Sequence, residues 1–421
     1  MKKIILSTIN ADNEFPLALY YLKSYAENHP PKNKEINKNY EIKVKDFFKE
    51  SNEEIAKELI KENPDIIAFS SYIWNVKKIQ EISNIIRTNT KVKDNLKIWI
   101  GGPDIEESHL TKKIDVLIKG EGEETFVELL INNLQENSNS NLKKIKGLIY
   151  KDKEEKTKFS GLREPLEIDS IPSPFLNNTV SLEKLKEYKY ILYETRRGCI
   201  FKCGFCKEAY KSDKIRYFSL DRIDKELKYL ITNNLAVEII DPYLNTSKER
   251  TLKLCNIIAK YNNNSITWVP LVYYSLDKET IEALRKANIN RVEIGLQSIN
   301  KETLKNVNKL VDIEKFKEKI SLFDDYFKVH IDLINGLPGD NYFTFVRTLN
   351  FCVNLGKRIL VEKLSVDNYT PLRENAEKLK LKFETEPPYL VIENYSFSKK
   401  EIRKSSLMTS SFLKEYNSYL D

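Results

Sequence analysis

Residues 190–206 read YILYETRRGCIFKCGFC. The first half is a short apolar and aromatic run that predicts a strand over 190–195. The second half sets Cys199, Cys203 and Cys206 at the spacing Cys-x3-Cys-x2-Cys, three of the five cysteines in 421 residues. Five cysteines are too few for a disulfide scaffold in a chain of this length, so the group reads as a metal or redox site. A strand that ends at Glu194 puts the cysteines at its carboxyl end, where the ligands of α/β folds gather.

Downstream, strand candidates recur at 236–241, 266–272, 291–296, 328–334 and 359–366, with helical spacing between them. Together with 190–195 they predict six parallel strands, a partial (β/α)6 TIM-like barrel over 187–375. The tail 376–421 closes on EIRKSSLMTSSFLKEYNSYL and predicts a helical extension. Upstream, KKIILSTI, YEIKVKDF, DIIAFSSY, LKIWIGGP and DVLIKGEG alternate with amphipathic stretches. Five such βα units over 1–140 describe a flavodoxin-like, Rossmann-type doubly wound sheet. Residues 141–186 change character: GLIYKDKEEKTKF predicts a polar hairpin and EIDSIPSPF a connector.

The net charge of +7 arises from 69 basic and 62 acidic residues. They are interspersed, as in KDKEEKTK, which argues for a solvated surface and against a nucleic-acid groove. No apolar run approaches the roughly 20 residues of a membrane span, and the amino terminus is broken early by polar residues, so the expectation is a cytoplasmic chain without a signal peptide.

Structural zinc is the chemical rival for the three cysteines, but it takes four N or S ligands, and no fourth is near in sequence. Cys255 and Cys352 lie in apolar helical stretches (TLKLCNIIAK, TLNFCVNLG) and read as core residues. Three thiolates can instead hold three irons of a [4Fe–4S] cube and leave the fourth open to an exogenous ligand.

Cys199, Cys203 and Cys206, with the aromatic Phe205 before the third cysteine, resemble the cluster motif of the radical S-adenosylmethionine (SAM) enzymes. VEIGLQS at 292–298 and HIDLINGLPGD at 330–340 resemble that family's fourth- and fifth-strand segments. The resemblance implies a [4Fe–4S] cluster and SAM as cofactors, and an electron donor such as flavodoxin or ferredoxin. It also implies SAM contacts from Phe205, Asp241, Glu293, Gln297 and Asp332. The second strand, VEIIDPYLN, departs from the family's Gly-Gly-Glu; Asp241 stands near that place and Asn245 could assist it.

In the amino-terminal part, Ser70-Ser71-Tyr72, Gly101-Gly102 and Gly120-Glu121-Gly122 follow three predicted strands, where glycine lets a backbone approach a flat or phosphate-bearing ligand. Joined to the radical SAM motif, their order resembles the cobalamin-binding domain fused to many members of that superfamily, and the resemblance implies that these eight residues contact cobalamin. The Asp-x-His-x-x-Gly motif that places a histidine below cobalt is absent, and His29 and His109 read as surface residues. The methylthiotransferases, which also join such domains, carry three cysteines in the first; here none precedes Cys199. The implied activity is C-methylation of an unactivated carbon in a small or peptide-like substrate. Three alternatives stay open: a radical rearrangement with cobalamin as electron relay, a non-catalytic cobalamin or iron–sulfur sensor, and a barrel whose first domain is only a packing platform and binds no cobalamin.

Overall fold

The computed structural model describes residues 1–135, 141–208 and 214–420, and divides into two compact units, Met1–Leu192 and Tyr193–Asp421. The expected boundary at 140 and the terminal residue 421 lie outside the described residues. No described helix is long and apolar enough to cross a membrane.

The first unit is built on a sheet of seven strands: β1 (Lys2–Ile9), β2 (Tyr40–Phe47), β3 (Ile66–Ser70), β4 (Lys97–Gly101), β5 (Val116–Ile118), β6 (Leu148–Lys151) and β7 (Thr157–Phe159). Their order is β2-β1-β3-β4-β5-β6-β7. The first five are parallel, in the 2-1-3-4-5 order of doubly wound sheets. Ile4, Ile5, Leu6 and Ile66–Phe69 are buried because helices cover both faces, which is why these strands read as continuous apolar runs rather than alternating ones. One core gathers Ile5, Ile67, Ile98 and Leu117 with Ile55, Leu59, Ile79 and Ile82 from helices Asn52–Lys61 and Val76–Thr88. The first of those helices starts at a Ser51–Glu54 capping box.

The hairpin at 148–159 was expected within a linker; instead β6 pairs antiparallel with β5, and β7 with β6, so it extends the sheet. Leu148, Ile149 and Tyr150 are buried in succession, so β6 is apolar on both faces as an interior strand must be, which its charged turn obscures in the sequence.

β8 (Ile191–Tyr193) runs across the boundary into the second unit, which holds a small antiparallel pair β9 (Arg196–Arg197) and β10 (Arg216–Tyr217), then β11 (Val237–Ile239), β12 (Ile266–Leu271), β13 (Arg291–Gln297), β14 (Lys328–Asn335) and β15 (Arg358–Lys363). Six of these strands form one sheet in the order β15-β14-β13-β12-β11-β8, with parallel pairing from β11 to β15. This is the partial barrel the strand spacing implied. On β13, Val292, Ile294 and Leu296 are buried against the helical layer, while Glu293, Gly295 and Gln297 take the other face.

Of the carboxyl-terminal extension, only Lys399–Tyr419 is a long helix, packed against β14 and β15. Before it runs a hairpin of β16 (Lys382–Phe383) and β17 (Val391–Glu393). Val391 sits where a Cβ on Gly336 would come within 2.5 Å of it, so the glycine of the Gly-Leu-Pro-Gly turn makes room for this hairpin.

Candidate functional site

The cysteine loop begins two residues after β8. Thr195 donates to Asp241 from its backbone N (2.7 Å) and its hydroxyl (2.5 Å), tying the loop's start to the residue that follows β11 by two. The next residue, Arg196, is only 1% exposed. Its Nε and Nη2 donate to the Tyr243 carbonyl at 3.2 and 2.7 Å, its Nη1 donates to the Gly198 carbonyl, and its guanidinium lies 4.2 Å from the Tyr243 ring centroid. Gly198 has φ +96°, and a Cβ there would stand 2.5 Å from the Lys214 carbonyl oxygen. Only glycine permits this approach.

Further along, the Gly204 amide donates to Val307 O (2.7 Å) and the Leu372 amide to Gly204 O (2.9 Å). Asn308 Nδ2 donates to Lys202 O (2.7 Å). Phe205 packs against an apolar cluster that includes Val307, Leu337 and Leu372. Cys199, Cys203 and Cys206 form no disulfide among the described residues and are partly exposed, whereas Cys255 and Cys352 are buried. Burial pushes the Cys199 thiol up in pKa; the nearby Arg196 charge opposes it. Among the described residues no three His, Cys, Asp or Glu side chains converge on one ion position. A cube of irons asks for one thiolate per iron, so a single loop that presents three separate thiols fits a cluster.

Inside the barrel, Glu293 accepts from Trp268 Nε1 at 2.6 Å. Its register partner His330 packs tilted against the same indole, with ring centroids 4.7 Å apart and planes at 57°. Asp332, opposite Gly295, faces the Glu293 carboxyl; burial first, then that neighbour, pushes its pKa up to about 10. Its Oδ1 has no partner. Gln297, at φ +72° on the end of β13, lays its amide where a Cβ on Gly295 would be, 2.6 Å from Nε2, and leaves its buried Oε1 unpartnered. The Lys309 ammonium lies 3.4 Å from the same point. Glu293, Gln297 and Asp332 are thus brought together on one interior face.

Asp241 is placed differently: each of its oxygens already accepts from Thr195, and burial raises its pKa. Asn245 is likewise engaged, bonded to Val272 N and O and to Ser275. Sequence reasoning missed Thr195, Arg196, Tyr243, Trp268, His330 and Lys309. His330 and Trp268 carried a usable signal, since each keeps the period-two phase of an inward position on its strand.

In the first unit the expected loops share the carboxyl edge of the sheet, after β3, β4 and β5. Thr8 Oγ1 donates to Ser70 O (2.9 Å), and the Ser71 amide to Gly101 O (2.7 Å). Ser71 is fully buried with its hydroxyl unpartnered. Tyr72 stacks on Trp74, centroids 4.6 Å apart and rings 4° from parallel, and Trp74 is 50% exposed. Asn75 is buried and spent on structure, donating to Ile9 O at 3.0 Å and accepting from Tyr72 N at 2.7 Å. Gly120, at φ +91°, faces open space, Glu121 is partly exposed, and Gly122 precedes helix Glu123–Asn132. His109, expected at the surface, is 7% exposed: its Nδ1 accepts from the Glu106 amide and caps a short turn. His29 is half-buried, stacked on Tyr25.

The two glycines at this edge differ in what they do. A Cβ on Gly102, at φ +126°, would lie 2.1 Å from Ser71 O, whereas one on Gly120 meets nothing within 4 Å. Gly102→Ala should therefore destabilise the first unit by about 2–5 kcal/mol, from strain plus overpacking. Gly120→Ala should cost only about 1–2 kcal/mol, from φ alone. Urea unfolding of both variants checks this; equal losses would refute it.

Residues 193–352 match the Radical SAM superfamily and residues 3–130 the B12 binding domain. The chain thus carries a radical SAM domain over 193–352, with a B12-binding domain ahead of it over 3–130. Among curated relatives it is 25% identical over 246 residues to the 2-(S-pantetheinyl)-carbapenam-3-carboxylate methyltransferase of Streptantibioticus cattleyicolor, covering 56% of this chain and 34% of that one. It is also 25% identical over 311 residues to the uncharacterized methyltransferase PH0819 of Pyrococcus horikoshii, covering 70% and 63%. The chain thus spans about a third of the first relative's length. Among solved structures it shares the fold of the radical SAM methyltransferase TsrM from Kitasatospora setae, with TM-score 0.70, 17% identity, and 94% of this chain and 81% of that chain covered.

Proposed function

We propose that this protein is an enzyme, a cobalamin-dependent radical SAM methyltransferase acting at an unactivated carbon of a small molecule. The observation that carries the reading is the position of Cys199, Cys203 and Cys206. They occupy one loop at the carboxyl end of the first strand of a six-stranded sheet, in a chain whose other unit has a doubly wound sheet with glycines at its ligand edge. The methyltransferase names of the curated relatives support it, as do the TsrM structures, one described with cobalamin and a [4Fe–4S] cluster and another with tryptophan and a SAM analogue.

When bound, the cluster supplies the electron that cleaves SAM to a 5′-deoxyadenosyl radical, and cobalamin supplies the methyl group. The three cysteines hold the cluster, and the Thr195–Asp241 bonds and the Arg196 contacts hold the loop that carries them. Gln297 Oε1 and Asp332 Oδ1, both buried without a partner, offer acceptors toward SAM from the barrel interior, and Phe205 lends an apolar wall. Ser70, Ser71, Tyr72, Gly101, Gly102, Gly120, Glu121 and Gly122 line the sheet edge that receives cobalamin. Gly120 gives open room there, and the buried Ser71 hydroxyl has its proton to offer. Flavodoxin or ferredoxin in the cytoplasm would deliver the electron.

The test is anaerobic reconstitution with iron, sulfide and hydroxocobalamin, then reduction with SAM present. The expected result is cluster absorption, retained cobalamin and 5′-deoxyadenosine. A loaded cluster with no deoxyadenosine would overturn the enzyme reading and favour a sensor. Once a substrate is found, a product heavier by a methyl group separates methylation from rearrangement.

A further inference from the structure

Tyr243 is only 1% exposed, and its ring is boxed by the Arg196 guanidinium at 4.2 Å and by Phe201 at 5.2 Å between centroids. Its hydroxyl faces the backbone of Ile200, the residue after Cys199, and its proton goes to no atom of the described residues. A buried hydroxyl with an unused donor costs about 1–3 kcal/mol, so a fold that keeps one has a partner for it in the loaded state. Arg196 is equally unusual. Its guanidinium donates to two backbone carbonyls rather than to a carboxylate, so its positive charge stays fixed beside the cysteine loop. Both groups lie close enough to Cys199 to act on it electrostatically.

We propose that Tyr243 and Arg196 set the reduction potential of an iron–sulfur cluster held at Cys199: the Tyr243 hydroxyl donates a hydrogen bond to cluster sulfur, and Arg196 supplies a buried positive charge beside it. The proposal rests on the reading that Cys199, Cys203 and Cys206 hold a cluster. Reduction adds one electron to an anionic group; a donor and a cation at its edge stabilise the reduced form more than the oxidised one. Hydrogen bonds to the sulfurs are among the determinants of the potentials of such clusters. Neither residue acts as an acid or base in this role.

The experiment is a dithionite titration, followed by electron paramagnetic resonance, of the reconstituted full chain without SAM, in the wild type, Tyr243→Phe and Arg196→Gln. Tyr243→Phe removes one oxygen from a packed ring and should load iron as the wild type does. At a fixed reductant poise its ratio of reduced to oxidised cluster should fall about tenfold, a shift of about 59 mV for a one-electron couple. Arg196→Gln, in the fraction that loads iron, should fall in the same direction. Full iron content with an unchanged potential in Tyr243→Phe would overturn the proposal. A wild type that takes up no cluster at all would instead overturn the reading beneath it.

Discussion

A Cys203→Ala variant should lose its iron–sulfur absorption and form 5′-deoxyadenosine only at background, while folding as the wild type does. Changes in the outer shell of a metal site already cost about 10–100-fold in metal affinity or activity, and removal of a ligand exceeds that. The fold should be indifferent because Cys203 lies on a loop and is only partly buried. What positions the loop is elsewhere: the Gly204 amide on Val307 O, the Leu372 amide on Gly204 O, and the Arg196 contacts. Cys255→Ala makes the opposite control. That thiol is 1% exposed in helix Lys248–Ala259, so its loss should lower the melting temperature slightly and leave iron binding intact. Iron and sulfide assays with thermal melts decide the matter. Deoxyadenosine at wild-type rate from Cys203→Ala would sink the cluster assignment.

Asp332→Asn should stabilise the protein, and more so the higher the pH. The carboxyl of Asp332 is raised to about 10 by burial and by the facing Glu293, so the folded chain keeps a proton that the unfolded chain has released. An unfolded aspartate titrates near 3.9. Between pH of about 4 and about 10 the native state therefore binds one more proton than the unfolded state, and stability falls by up to about 1.4 kcal/mol per pH unit. Its contribution is fully present below the unfolded pKa and is lost as pH rises toward the folded one. Asparagine is neutral throughout, and its amide can donate to Glu293 as the protonated acid does. From pH 5 to pH 8 the variant's advantage should grow by up to about 4 kcal/mol, roughly 10 °C in the melting temperature of a unit this size. Melts of both proteins across that range test it. An advantage that does not change with pH would show that Asp332 is ionised in the fold.

The cysteine motif, the two α/β architectures and the core identity of Cys255 and Cys352 were all legible in the sequence, because each is written in local spacing. A buried parallel strand reads as an apolar run, and a cluster loop as closely spaced thiols. His109 was misjudged because its burial comes from the turn that Glu106 and its own ring close, which no pattern of neighbours announces. The hairpin at 148–159 was placed in a linker because its charged turn dominates its composition, whereas its membership of the sheet depends on β5, some 30 residues earlier.

Within the site the division falls in the same way. Spacing alone gave the inward phase of Glu293, Gln297 and Asp332. Only the tertiary structure decided that Asp332 meets Glu293, that Asp241 is bound by Thr195, and that Arg196 stacks on Tyr243, because each of these depends on which strands lie side by side and in what register. The chain by itself determined which elements form and where the thiols stand. The packing of distant strands determined which polar groups are buried together, and burial together is what shifts a carboxyl, leaves a hydroxyl with an unused proton, and fixes a charge beside a cysteine.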